Sequence, residues 1–182
     1  MTIEVGGEMV APEPGLWRAG VVQDFARSEL FDHTFEEGME LVEETAAYLD
    51  GAGRHDSKML SRGAALAYAS ESMRLTTRLM QVASWLLVQR AVREGDMNPV
   101  DACDDRYRLG AQEVCQAQPV EGADDLPGGL LTLLARSERL YERILHLDRR
   151  MYVETAAART APHPVLSQME KLQAAFALGR EA

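Results

Sequence analysis

From Ser57 to Arg93 the chain contains no proline, and Gly63 is the one strong helix breaker in that span. A single helix over it would be roughly 55 Å long at about 1.5 Å per residue. Its apolar residues recur at helical intervals in two rows, Leu75, Leu79, Val82 and Leu86 in one, Met73, Met80, Ala83 and Leu87 in the other. A helix with two apolar rows has to be packed on more than one side, so the feature predicts an all-α bundle built around this rod. The same span carries no catalytic spacing, which points to contact with other proteins rather than chemistry.

The flanking sequence supplies the partners of the rod. A helix is predicted from Ser28 to Leu49, with Phe31, Phe35, Gly38, Val42, Thr45 and Leu49 as its inner seam. Asp50-Gly51-Ala52-Gly53 ends it, because glycine accepts the left-handed conformation that closes a helix. Asp56 or Ser57 then caps the long helix, and Glu94-Gly95 marks its exit. The short connection makes these two helices antiparallel neighbours. Asn98-Pro99 predicts the start of a third helix to about Gln116, thin in apolar residues. A loop from Gln118 to Gly129 leads to a fourth helix, which begins near Asp125 or Pro127 and ends near Tyr152, with Leu130, Leu133, Leu134, Tyr141, Ile144, Leu145 and Leu147 facing the core.

The ends differ in character. Residues 1–24 hold Pro12, Pro14 and several glycines without periodicity and read as a flexible arm, of which Val21 and Val22 dock the last turn with Phe25. Residues 153–182 read as a flexible tail with a short helix over 165–178, carrying Leu166, Met169, Leu172 and Phe176. The expected organisation is therefore an arm over 1–24, an antiparallel bundle of three to four helices over 25–152 and a tail over 153–182.

Charge and composition exclude several function classes. The net charge of −10 repels a nucleic-acid backbone, and the best basic patch, Arg74 and Arg78 with Arg90 and Arg93, is interrupted by Glu71 and Glu94. Apolar runs such as Trp85 to Val88 are far short of the roughly 20 residues that a membrane span needs. The N-terminus lacks the basic and apolar regions of a signal peptide, so a cytoplasmic location is expected. Cys103 and Cys115 have no C-x-x-C partner and read as ordinary thiols.

No constellation for catalysis or metal binding emerges. A di-metal carboxylate bundle needs Glu-x-x-His units, whereas here Glu142 and His146 stand four apart and His33 precedes Glu36. His33, His55, His146 and His163 fall on different segments, and acid–base catalysis needs a positioned partner. No nucleophile elbow, phosphate loop or dinucleotide fingerprint occurs. The chain is read as a non-enzyme with no cofactor.

The candidate protein-binding residues come from surface composition. Arg74, Arg78 and Trp85 fall on one strip of the long helix at spacings of four and seven, and Met73 and Met80 add adaptable apolar contact. Glu37, Glu40 and Glu44 lie opposite the inner seam of the first helix, within a cluster that also contains Glu36 and Glu43. That cluster is either a solvated acidic face or a docking surface for a basic partner.

EGMELVEETAAYLDGAGR (37–54), ALAYASESMRLTTRLMQVASWLLVQRAVREGDM (65–97) and LPGGLLTLLARSERLYERILHLDR (126–149) together resemble the bacterial family of RcdA, the regulator of CtrA degradation. The resemblance implies a helical-bundle homodimer that acts as an adaptor. Proteins of that family tether clients, including cell-cycle transcription factors, to the ClpXP protease after a response-regulator-like protein, CpdR, has primed it. It implies no catalytic residues. The competing reading is a regulatory protein, transcription-associated or part of a signalling complex, that works without a protease; a third is a small-ligand or metal-binding bundle.

Overall fold

The computed structural model describes residues 14–120 and 122–154, and every regular element among them is helical. Helix α1 spans Pro14–Ala26, α2 Glu29–Asp50, α3 Ala52–Lys58, α4 Arg62–Glu94, α5 Gln112–Cys115 and α6 Gly128–Arg149. The expected terminal helix over 165–178 lies outside the described residues.

Helix α4 is the rod that the sequence predicts, and its buried row is Leu75, Leu79, Val82 and Leu86. At 33 residues it is about 50 Å long. It starts later than expected. Residues 52–58 form the separate helix α3, folded back so that the Tyr48 hydroxyl donates to Asp56 Oδ2 at 3.1 Å. Gly53 allows the fold-back, since a Cβ there would lie 2.5 Å from the Tyr68 hydroxyl and 2.7 Å from the Tyr48 ring. Ser61 then caps α4 by accepting from the Ala64 amide at 3.3 Å. Gly95, at the expected exit, closes the far end in the left-handed conformation at φ 83°, whereas Gly51, expected to close α2 in that way, stands at φ −106°.

Helix α2 begins within a residue of the predicted start, capped by Ser28 Oγ, which accepts from the Phe31 amide at 3.2 Å. Its inner face is Phe31, Thr34, Gly38, Leu41 and Thr45, slightly rotated from the expected seam, so that Phe35 and Val42 are half-buried. Helix α2 runs antiparallel to α4, placing Asp32 beside Arg93 and Gly38 beside Leu86. It also runs antiparallel to α6, where Glu37 and Glu44 pair with Arg143 and Arg136. Gly38 is the point of closest approach of the three helices: a Cβ there would stand 2.7 Å from Leu86 Cδ1, 3.8 Å from Val82 and 3.9 Å from Leu140. Gly38→Leu is therefore expected to lower stability by about 2–3 kcal/mol through overpacking, read as a reduced urea midpoint at constant m-value. A midpoint equal to wild type would show that the helices can part there at no cost.

Two segments depart from the sequence reading. Residues 14–24, expected within a mobile arm, belong to α1, which begins on Pro14, a favoured first-turn proline. Ala19, Val22 and Ala26 are buried, and the Phe25 ring lies 5.6 Å from that of Trp85 and 5.8 Å from that of Phe31. The helix expected from Pro99 to Gln116 does not form either. Asn98 caps by accepting from the Val100 amide at 2.9 Å, but the chain makes single turns at Asp101–Cys103 and Asp105–Tyr107, and then the one-turn helix α5. Asp104 breaks the run by accepting from the Arg106 amide, a local bond that competes with helix propagation. This connection runs back along α4 from the level of Gln89 to that of Ala67, so α6 sets out beside the start of α4 and travels in the same direction.

Candidate interaction surface

Three of the candidate binding residues face inward. Trp85 is 1% exposed and Arg78 is 2% exposed, so neither offers a surface, and Arg74 is mostly covered. The spacing of four and seven correctly places them on one strip, but that strip looks toward the crossover connection. Arg78 Nε and Nη2 both donate to the Cys115 carbonyl, at 3.1 and 2.7 Å, while Nη1 donates to Ser137 Oγ at 3.0 Å and to the Leu134 carbonyl at 3.3 Å. Its nearest carboxylate, Glu138, is 4.0 Å away. Burial lowers the Arg78 pKa below its ordinary value, and Glu138 opposes that shift.

The neighbours along the strip act in the same way. Glu71, buried, accepts from the Val120 amide at 3.1 Å and pairs with Arg74, which donates to the Ala117 carbonyl. Gln81 Oε1 accepts from the Gly110 amide at 3.1 Å, and the Tyr141 hydroxyl donates to the Gly110 carbonyl at 3.1 Å. Trp85 Nε1 donates to Asp148 Oδ1 at 3.0 Å, and Arg108 grips the same buried carboxylate through Nε and Nη2. That hydrogen bond with Asp148 raises the Arg108 pKa, holding the guanidinium charged. Gln89 reaches the Tyr152 hydroxyl, which lies 3.4 Å from the Ala102 carbonyl. A polar stripe on α4 thus satisfies backbone groups of a segment that forms little helix of its own. Its sequence signal is the series Glu71, Arg74, Arg78 and Gln81, spaced by three and four on the flank of an apolar row.

Met73 and Met80 stand outward as expected, 71% and 68% exposed, and Leu66 and Leu87 extend the row at 69% and 50%. The second apolar row of α4 is therefore a surface ridge. A groove of about 290 Å³ flanks it on the α2 side, lined by Val42, Ala46, Leu49, Thr76, Met80 and Ala83. A second, of about 390 Å³, lies toward the crossover and includes Met73, Thr77, Val114 and Val120. Contiguous exposed apolar surface of this kind makes the ridge a candidate interaction site.

Glu37, Glu40 and Glu44 lie on the exposed face of α2. Two of them are already engaged, Glu37 with Arg143 and Glu44 with Arg136, which lessens the acidity available to a basic partner. His33, His55 and His146 are exposed. Among the described residues no group of three or more His, Cys, Asp or Glu side chains is placed to hold a metal ion, and no helix is long and apolar enough to cross a membrane.

The chain matches the model of a family described as a protein of unknown function, DUF1465, over residues 22–176. The match runs beyond the segments that carry the resemblance in the sequence and into the tail. The crystal structure of RcdA from Caulobacter crescentus CB15 is similar at 72% identity and a TM-score of 0.60, covering 72% of this chain and 98% of that one. None of the curated proteins compared with the chain matches it.

Proposed function

The chain belongs to the DUF1465 family, the family of RcdA, and from that premise we propose that it is a non-enzymatic adaptor in regulated proteolysis. It tethers client regulatory proteins to the ClpXP protease, for degradation linked to the cell cycle, in the cytoplasm and as a homodimer. A CpdR-like response regulator primes the protease for it. The observation that carries this reading is the 72% identity to RcdA over nearly the whole of that chain. The outward ridge of α4 supports it, because a tether needs apolar contact surface and no reacting groups. Tethering raises the effective concentration of client at the protease, so modest contact areas suffice.

The test is client loss in a purified mixture of ClpXP, a CpdR-like protein and a CtrA-like transcription factor, with and without the chain. The client half-life is expected to shorten on the order of tenfold when the chain is present. An unchanged half-life, with retardation of a DNA fragment by the chain in a gel, would replace this reading with a transcription-associated one.

A further inference from the structure

A groove of about 430 Å³ lies where α2 begins and α6 ends. Val21 and Phe25 of α1, Leu30 of α2, Leu147 of α6 and Met151 just beyond it form its apolar walls. Residues Arg150–Glu154 continue α6 as a π-helical turn, a form that widens the helix and is frequent at functional sites. That turn buries Met151 and Tyr152 and leaves Arg150 outside. Leu30, in the first turn of α2, is 50% exposed over the groove. Asp24 and Arg150 stand on its rim, both exposed, and neither has an ion-pair partner among the described residues.

We infer that this groove is the docking site of the chain's own segment 165–176, which binds it as a helix within the same copy. The chain leaves the bundle at Glu154, three residues after Met151, so the segment sets out from the groove itself. Leu166, Met169, Leu172 and Phe176 are spaced by three and four, which on a helix makes one apolar stripe about 120° wide. Pro164 suits the first turn of that helix. The ten residues 155–164 reach at most about 35 Å, ample for a return to walls that include Arg150 and Met151. The family model extends to residue 176, the last of the stripe. Charge fixes the direction. Glu170 and Lys171 flank the stripe on opposite sides, so docking that brings Lys171 to Asp24 brings Glu170 to Arg150.

A helix of this length is marginal in water on its own, so the groove has to supply what holds it. The short connection sets an effective concentration on the order of 1 mM, and a contact with an intrinsic Kd of about 0.1 mM is then closed about tenfold over open. Such a contact still opens readily. While it is closed, the stripe and the groove are both withheld from other proteins. A partner that takes either one binds only the open form, and its affinity is lower by about the same factor of ten. The segment thus acts as a plug that sets a threshold for that partner.

Hydrogen exchange read by mass spectrometry on the full chain tests the docking. Neither protease nor client is present, so the outcome is independent of the adaptor reading. The amides of 166–176 are expected to exchange about tenfold more slowly in wild type than in Leu30→Glu. That variant places its carboxylate in the first turn of α2, where the helix dipole favours it, and should keep the wild-type thermal melt. Asp24→Lys, a change at an exposed position, should lose part of the slowing, and Asp24→Lys/Lys171→Asp should regain it. Three results would overturn the proposal. Wild-type amides of 166–176 that exchange at the rate of an unstructured chain would remove the docked state. Slowing that survives both Leu30→Glu and Asp24→Lys would place the segment elsewhere than in this groove. Slowing that fades over a hundredfold dilution would place it on another copy of the chain.

Discussion

Arg78→Ala is expected to lower the stability of the fold by about 3–5 kcal/mol, more than truncation of an ordinary core residue of α4 would at the lower end of its range. Arg78 has all but lost contact with water, and its guanidinium bonds the Cys115 and Leu134 carbonyls and Ser137 Oγ. Truncation leaves the Cys115 carbonyl buried without the two bonds that it accepts from the guanidinium, at about 1–3 kcal/mol for an unsatisfied group, takes a donor from Ser137 Oγ and the Leu134 carbonyl, which keep each other, and opens a cavity as well. Lysine should recover only part of the loss. Its single ammonium cannot reproduce a planar fork that serves the crossover and α6 at once. Urea denaturation gives the stability, and hydrogen exchange locates the damage, which is expected first at the amides of 111–118. A variant with the wild-type midpoint and wild-type protection there would show that α4 does not hold the crossover in place.

The second large effect is expected at Asp148. This buried carboxylate accepts from Trp85 Nε1 and takes a two-pronged grip from Arg108, so a single residue of α6 fastens both the rod and the middle of the crossover. Asp148→Ala strands a guanidinium in a partly buried site and an indole N–H in the core, and should destabilise the fold by about 3–5 kcal/mol. Asp148→Asn keeps an acceptor for the indole and loses the ion pair, so it should fall between alanine and wild type. The ordering of the three urea midpoints is the check. If the asparagine variant matched alanine, the charge alone would account for the effect and the indole bond would contribute nothing measurable.

The helices that bury an apolar face were legible in the sequence. The start of α2 near Ser28, the Gly95 exit and the row from Leu75 to Leu86 all stand where the pattern places them, because period and termination are local properties. The start of α4 was misplaced because α3 owes its separate existence to Tyr48, Gly53 and Tyr68 meeting across the turn, a contact between residues far apart on the helical pattern. Helix α1 was hidden by its composition. Glycines and Pro14 suggest mobility, and only the burial of Val22 and Ala26 against the bundle shows otherwise. The crossover carries the cap signal of a helix, yet its backbone bonds itself only in single turns, and α4 side chains satisfy groups that those turns leave over.

The candidate binding residues divide by exposure. Met73 and Met80 are on the surface, as adaptable contact groups should be. Arg74, Arg78 and Trp85 share a strip, but periodicity gives only their common face and does not say what covers it. Arginine and tryptophan are enriched at interfaces between proteins, and here the same preference serves an interface within one chain, between a helix and its own connection.

The way the crossover is held divides the molecule into parts with different freedom to change. Glu71, Arg74, Arg78 and Gln81 address carbonyls and amides of residues 110–120, groups that every amino acid carries, apart from the amide that proline lacks. The side chains of Glu113, Gln116 and Gln118 are therefore released from any duty in holding that segment down, while each polar residue of the α4 stripe is committed to one fixed address. Sequence drift can accumulate in the strap at little cost to the fold, and new contacts with a changing set of partners can be written there without rewriting the bundle.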